Sequence, residues 1–92
     1  VLNQNYPNPF NPITKIKFTL PHHSNGERKG ASLVTLKVYD VLGREIKTLI
    51  NKELSPGSHD VNFDGRNLTS GVYFYRLDAG SFVQTKKMVL LR

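Results

Sequence analysis

Apolar and polar residues alternate with a period of two along most of this chain, and no helix-length window carries an apolar stripe at helical spacing. The pattern predicts an all-β protein. Over Thr14 to Leu20, Ile16, Phe18 and Leu20 share one face while Lys15, Lys17 and Thr19 share the other, as a half-buried strand requires. Leu33 to Tyr39 repeats this with Val34, Leu36 and Val38 inward. Asp40-Val41-Leu42-Gly43 then has Asp first and Gly fourth, the preferences of a type I turn, and predicts a hairpin into Arg44 to Ile50. Ser55-Pro56-Gly57 presets a second turn, of type II, after which His59, Val61 and Phe63 line one side of a strand. Asp64-Gly65 ends that strand, and Arg66 to Ser70 cross to the next, Gly71 to Asp78. Ala79-Gly80 turns the chain into a last strand from about Phe82 to Leu91.

Six or seven short strands with regularly spaced turns predict a sandwich of two antiparallel sheets. Leu68-x-x-Gly71-x-Tyr73 sharpens the expectation to an immunoglobulin-like sandwich. It has the form of a tyrosine corner, in which a tyrosine early in a late strand returns its hydroxyl to the backbone of the preceding crossover. Two segments break the rhythm. Asn3 to Pro12 holds three prolines and four asparagines, so it cannot join a central ladder and is expected to lie extended against the body or to link to a preceding domain. His22 to Ala31 reads as a long polar loop. The division that follows is a Pro/Asn-rich entry at residues 1–12 and the sandwich at 13–92.

Ninety-two residues suffice for one core, and the absence of an initiator methionine and of a leader at Val1 suggests a piece of a longer protein. The longest apolar runs fall far short of the roughly 20 residues that cross a bilayer, so no membrane span is expected. With no cysteine there is no disulfide or thiolate chemistry, and packing alone must stabilise the fold. The net charge of +6 favours anionic partners only if the thirteen basic residues gather in one place. Instead they alternate with apolar residues along several strands, as on a solvated sheet face that resists edge pairing.

Candidate chemistry is sparse. Tyr39, Tyr73, Phe74 and Tyr75 with neighbouring cations resemble a base-stacking platform in composition, but aromatic residues at strand positions more often serve the core or cross-strand pairs, and no nucleic-acid partner is expected. His22 and His23, adjacent in a loop, lack a nearby cysteine or acidic partner for a metal, and His59, at the start of a strand, reads as a partly buried or surface histidine without catalytic meaning. No nucleophile elbow, phosphate loop or paired carboxylates occur, so neither catalytic nor cofactor residues are assigned. Asp40, Asp60, Asp64 and Asp78 leave calcium open, without the spacing of a ligand loop.

Four blocks in order carry a family resemblance: Asn5-Tyr6-Pro7-Asn8-Pro9-Phe10-Asn11-Pro12; Leu36-Lys37-Val38-Tyr39-Asp40-Val41-Leu42-Gly43-Arg44-Glu45; Ser70-Gly71-Val72-Tyr73-Phe74-Tyr75-Arg76-Leu77; and Lys86-Lys87-Met88-Val89. Together they closely resemble the C-terminal sorting domain of type IX (Por) secretion substrates, found in Bacteroidetes and related phyla. The resemblance implies a non-catalytic sandwich, without cofactor, that follows a cargo domain in the same chain and directs it through the type IX translocon, from periplasm to cell surface or medium. It also implies a sortase-like peptidase that removes the label. Matching the family motifs are the Pro9-Phe10-Asn11-Pro12 entry, the Tyr39-Asp40 to Gly43-Arg44 turn and the Gly71-x-Tyr73 corner. The terminal strand, Lys86, Lys87, Met88, Val89, Leu90, Leu91 and Arg92, is the part the resemblance offers to the translocon, and its edge suits strand addition by a receptor.

Two features stand beside that reading. His22 to Ala31 is longer than the usual link between the first two strands. Asp64-Gly65-Arg66 with Gly71-x-Tyr73 is also similar to the immunoglobulin-like part of the flagellar hook-capping protein, a likeness of fold more than of function. The alternative function is a structural or adhesive module that remains beside an enzyme domain.

Overall fold

The computed structural model describes residues 1–21, 32–80 and 82–92, so the loop expected over His22 to Ala31, with His22 and His23, lies outside the described residues. Six strands form: β1 (Ile13–Leu20), β2 (Ser32–Tyr39), β3 (Glu45–Leu54), β4 (Gly57–Asp64), β5 (Gly71–Asp78) and β6 (Val83–Leu90). They make two antiparallel sheets, β1-β4 and β3-β2-β5-β6, and among the described residues there is no helix. This is the predicted β-sandwich, at the lower strand count. The two hairpins, β2-β3 and β5-β6, stay within the large sheet. The chain changes sheets between β1 and β2, at the Ser55-Pro56 turn, and over the β4-β5 crossover.

Alternation explains which face each strand buries. Ile16, Phe18 and Leu20 of β1 and Phe63 of β4 meet Val34, Leu36 and Val38 of β2, Tyr73, Tyr75 and Leu77 of β5, and Met88 and Leu90 of β6. The apolar run Met88 to Leu91 resolves into the same alternation: Met88 and Leu90 are sealed, Val89 is half-covered and Leu91 is exposed. β3 runs past its expected end at Ile50 to Leu54. Its register against β2 slips beside Leu36 and again beside Val38, leaving Leu49 and Ile46 as extra residues of two bulges. A strand so kinked loses the clean alternation that marks its length.

The entry segment builds part of the sandwich. Its backbone pairs with the free edge of β1, through Asn3 N–H to the Lys17 carbonyl and both Tyr6–Lys15 bonds, each 3.0 Å. It then crosses to β6, where Phe10 pairs with Leu90 in parallel: Phe10 N–H meets the Val89 carbonyl at 2.9 Å and Leu91 N–H meets the Phe10 carbonyl at 3.0 Å. Leu2 and Phe10 are buried in the core, and the Phe10 ring meets Phe63 edge-on at 6.0 Å. Residues 1–12 thus strap the two sheets together along one open side.

A buried polar node holds this strap. The Tyr75 hydroxyl, rising from the floor of the large sheet, donates to the Asn3 carbonyl at 2.7 Å and accepts the Asn5 N–H at 2.8 Å. The Asn5 amide donates to Thr14 Oγ1 and to the Pro7 carbonyl, while Thr14 also donates to that carbonyl. Gln84 Oε1 accepts the Leu2 N–H at 2.7 Å. Side chains therefore supply the partners that a proline-rich ribbon lacks on its own backbone. Burial pushes the Tyr75 hydroxyl pKa up to about 12, against the opposing pull of the Asn5 N–H.

Candidate functional site

The sequence blocks singled out above converge at one end of the sandwich. β2 ends there at Tyr39, facing Phe74 of β5 on the outer surface, and the Asp40–Gly43 turn projects beyond. β5 begins there at Gly71, opposite Leu90, and Leu90 in turn carries Phe10. Pro9 to Pro12, Tyr39 to Arg44, Gly71 to Tyr73 and Leu90 to Arg92 are thus neighbours in space although they come from opposite ends and the middle of the chain.

Each piece is fixed by short-range chemistry. Gly43 N–H closes the turn on the Asp40 carbonyl at 3.0 Å, with Gly43 at φ +83°, a conformation that disfavours any side chain. The Asp40 carboxylate accepts the backbone N–H of Arg44 (3.0 Å) and of Leu42 (2.9 Å) and the Arg44 Nε–H (2.9 Å). The Arg44 backbone N–H foremost, then the Arg44 side chain and the Leu42 N–H, hold the Asp40 carboxyl below its ordinary pKa. Asp64 repeats the device at the start of the β4-β5 crossover. It accepts the Arg66 Nε–H at 2.8 Å and the Arg66 N–H at 3.0 Å, and in that order these lower its pKa.

The crossover itself is tethered at several points. The Tyr73 hydroxyl donates to the Thr69 carbonyl at 2.7 Å, the reach-back of a tyrosine corner. Gly65 N–H donates to the Pro12 carbonyl at 2.8 Å. Gly65 lies so close to the strap that a Cβ there would sit 3.3 Å from Leu90 Cδ2 and 3.4 Å from Phe10 Cε2. Between turn and crossover runs a groove of about 570 Å³, with Val41, Leu42 and Ile46 on one wall and Asn67, Leu68 and Val72 on the other. Val41 and Leu42 are 65% and 74% exposed, unusual for branched apolar residues side by side.

The seven residues expected as the terminal strand, Lys86 to Arg92, divide by environment, the first five lying in β6 and Leu91 and Arg92 following it. β6 is an edge strand, so its ribbon is not enclosed within a sheet. Met88 and Leu90 belong to the core, Lys86 and Val89 are half-covered, and Lys87, Leu91 and Arg92 are exposed. The strap occupies the edge over the second half of the strand: Gln4 Nε2 donates to the Lys87 carbonyl, Asn8 Oδ1 accepts the Val89 N–H, and Phe10 takes the remaining positions. Strand addition along Lys87 to Leu91 is therefore blocked by the protein's own chain, and among the described residues only the first half of β6 has an unpaired ladder edge. Sequence reasoning missed this, and it missed Tyr75, Gln84 and Gly65 as fastenings of the strap. A glutamine in a polar stretch and a glycine at a turn carry no signature of such partners.

Among the described residues no three His, Asp or Glu side chains gather as a metal site requires, and the carboxylates of Asp40 and Asp64 are turned to their arginines. His59 stacks on Phe18 at 5.5 Å, with its Nε2 2.8 Å from the Ser55 carbonyl. Of the four aromatic residues weighed as a platform, Tyr73 and Tyr75 are core, and only Tyr39 and Phe74 meet on the outer face.

No protein of curated function matches the chain. The model of one family, described as the secretion system C-terminal sorting domain, matches residues 4–91, which takes in most of the strap, both sheets and the converged end as far as Leu91. The chain therefore belongs to the secretion system C-terminal sorting domain family, the signals that direct type IX secretion cargo across the outer membrane to the cell surface or beyond.

Proposed function

We propose that the type IX translocon reads this domain in its folded form, at the end where the motif blocks converge, and that a sortase-like peptidase afterwards separates it from the cargo ahead of it. The observation that carries the reading is the groove between the Asp40–Gly43 turn and the crossover. Its exposed Val41 and Leu42 contribute nothing to the core, so core packing does not account for their presence. Apolar residues held rigidly at a tight turn suit a docking contact, because little conformational entropy remains to be lost on binding. Lys87 and Leu91, exposed on the neighbouring end of the last strand, extend the same surface. The chemistry of the parent protein then resides in the cargo.

Deleting Lys86 to Arg92 is a poor test, since it also removes Met88 and Leu90 from the core. A sharper one joins residues 1–92 to a reporter in a host with type IX machinery and compares it with the Val41→Ser/Leu42→Ser variant. Export should fall at least several-fold while the thermal midpoint of the purified domain stays unchanged. Normal export of the double variant would remove the groove from the recognition surface.

A further inference from the structure

The groove has one stiff wall and one that depends on a distant residue. The Asp40–Gly43 turn is closed by its own hydrogen bonds, whereas Arg66, Asn67, Thr69 and Ser70 of the crossover are all exposed and only Leu68 packs against the core. Arg92 reaches over this segment. Its Nη1 donates to the carbonyls of Leu68 (2.9 Å), Gly65 (3.3 Å) and Arg66, and its backbone N–H donates to Ser70 Oγ at 2.9 Å. Among the described residues no carboxylate side chain takes part. The guanidinium instead gathers the carbonyls of a single turn whose Leu68 N–H is itself bonded to the Gly65 carbonyl at 2.9 Å.

We propose that Arg92 is a positioning residue for the recognition surface: it fixes the crossover that forms one wall of the groove, and is not itself the feature that is read. The proposal rests on the reading of the groove given above. Its physical basis is reach and direction: Nη1 lies one bond farther from the backbone than a lysine Nζ would, and the planar guanidinium fixes its two N–H groups, one of them shared between neighbouring carbonyls of the turn. A lysine ammonium has N–H groups enough, but on a shorter stem and free to rotate, so it does not hold the segment in one place. The Tyr73 hydroxyl holds the same crossover at a further carbonyl, that of Thr69, so the two residues act on one element through different bonds.

The test uses hydrogen exchange on the 92-residue chain beside the export reporter. In Arg92→Ala and Arg92→Lys the Leu68 amide should exchange about tenfold faster or more, as expected when a charge-assisted bond to a locally opening segment is lost. Amides of Val38 and Tyr75 in the core should be unchanged, and export should fall in both variants. Tyr73→Phe should likewise speed Leu68 exchange and lower export, although every residue from Lys86 to Arg92 is intact. Should Arg92→Ala unfold the domain, Arg92→Lys, which keeps the charge and the aliphatic stem, carries the comparison. Unchanged Leu68 exchange in Arg92→Lys overturns the proposal, and lost export alongside it would mean that the guanidinium is read directly. A wild-type fusion that is not exported refutes the sorting surface instead, and the exchange result still decides what Arg92 does.

Discussion

Replacing Tyr75 by Phe removes one oxygen and tests whether the strap is fastened from beneath. The ring stays in its fully buried place, so packing is preserved and only two hydrogen bonds are lost. The two are unequal. The bond from Asn5 N–H is buried, and an unpaired buried donor costs about 1–3 kcal/mol. The Asn3 carbonyl is only partly buried, so water replaces much of its bond. The sum is about 2 kcal/mol, which for a chain of this size lowers the thermal midpoint by roughly 10 °C. Urea denaturation and a calorimetric scan measure it, with Tyr6→Phe as a control, since Tyr6 is 81% exposed and its variant should match wild type. Hydrogen exchange should show the loss first in residues 3 to 5. The hydroxyl pKa is raised from 10.0 to about 12 on folding, so its contribution is complete below pH 10 and disappears as pH rises through 12. The variant should lack that alkaline step. A change smaller than about 0.5 kcal/mol, the range of ordinary surface substitutions, would show that the strap does not depend on this hydroxyl.

Three other outcomes follow from the same contacts. Phe10→Ala empties a buried site against Phe63 and frees the strap from β6, which should cost about 3–5 kcal/mol in urea denaturation and expose the β6 amides to exchange. Gly65→Ala forces a methyl against Leu90, Phe10 and the Pro12 carbonyl and should cost about 1–2 kcal/mol, with a larger loss for Gly65→Val. Asp40→Asn weakens the turn at neutral pH; because the folded carboxyl pKa lies below its ordinary 3.8, the wild-type advantage is present above that value and fades as pH falls through the folded one, so urea midpoints of the two proteins should converge in acid.

The strands with regular alternation were readable to within a residue or two, because one buried face imposes a period of two on β1, β2 and β5. Turn chemistry was equally plain, and Asp40-Val41-Leu42-Gly43 folds as its residue preferences demand. β3 was read four residues short, since two bulges put Ile46 and Leu49 out of phase. Residues 1–12 were expected to lie extended, but their share in the core was not legible. Leu2, Asn5 and Phe10 follow no period, and the groups that hold them, Tyr75, Gln84 and Thr14, are remote in the chain. The converged end was visible only as separate blocks, because spatial neighbourhood between Phe10, Gly65 and Leu90 arises from sheet order, which local pattern does not encode. Arg92 was assigned to recognition by position, and its bonds go to backbone carbonyls that look alike in every residue.

The direction in which the strap runs has a steric consequence. Val1 lies beside Thr19 near one tip of β1, whereas Phe10 lies at the opposite tip, a span of roughly 25 Å for a strand of this length. A segment attached ahead of Val1 therefore joins the domain at the pole away from the groove. If the groove is the face that the export machinery reads, as proposed above, a tag arranged in this way keeps that face apart from the point where it is joined to whatever it tows.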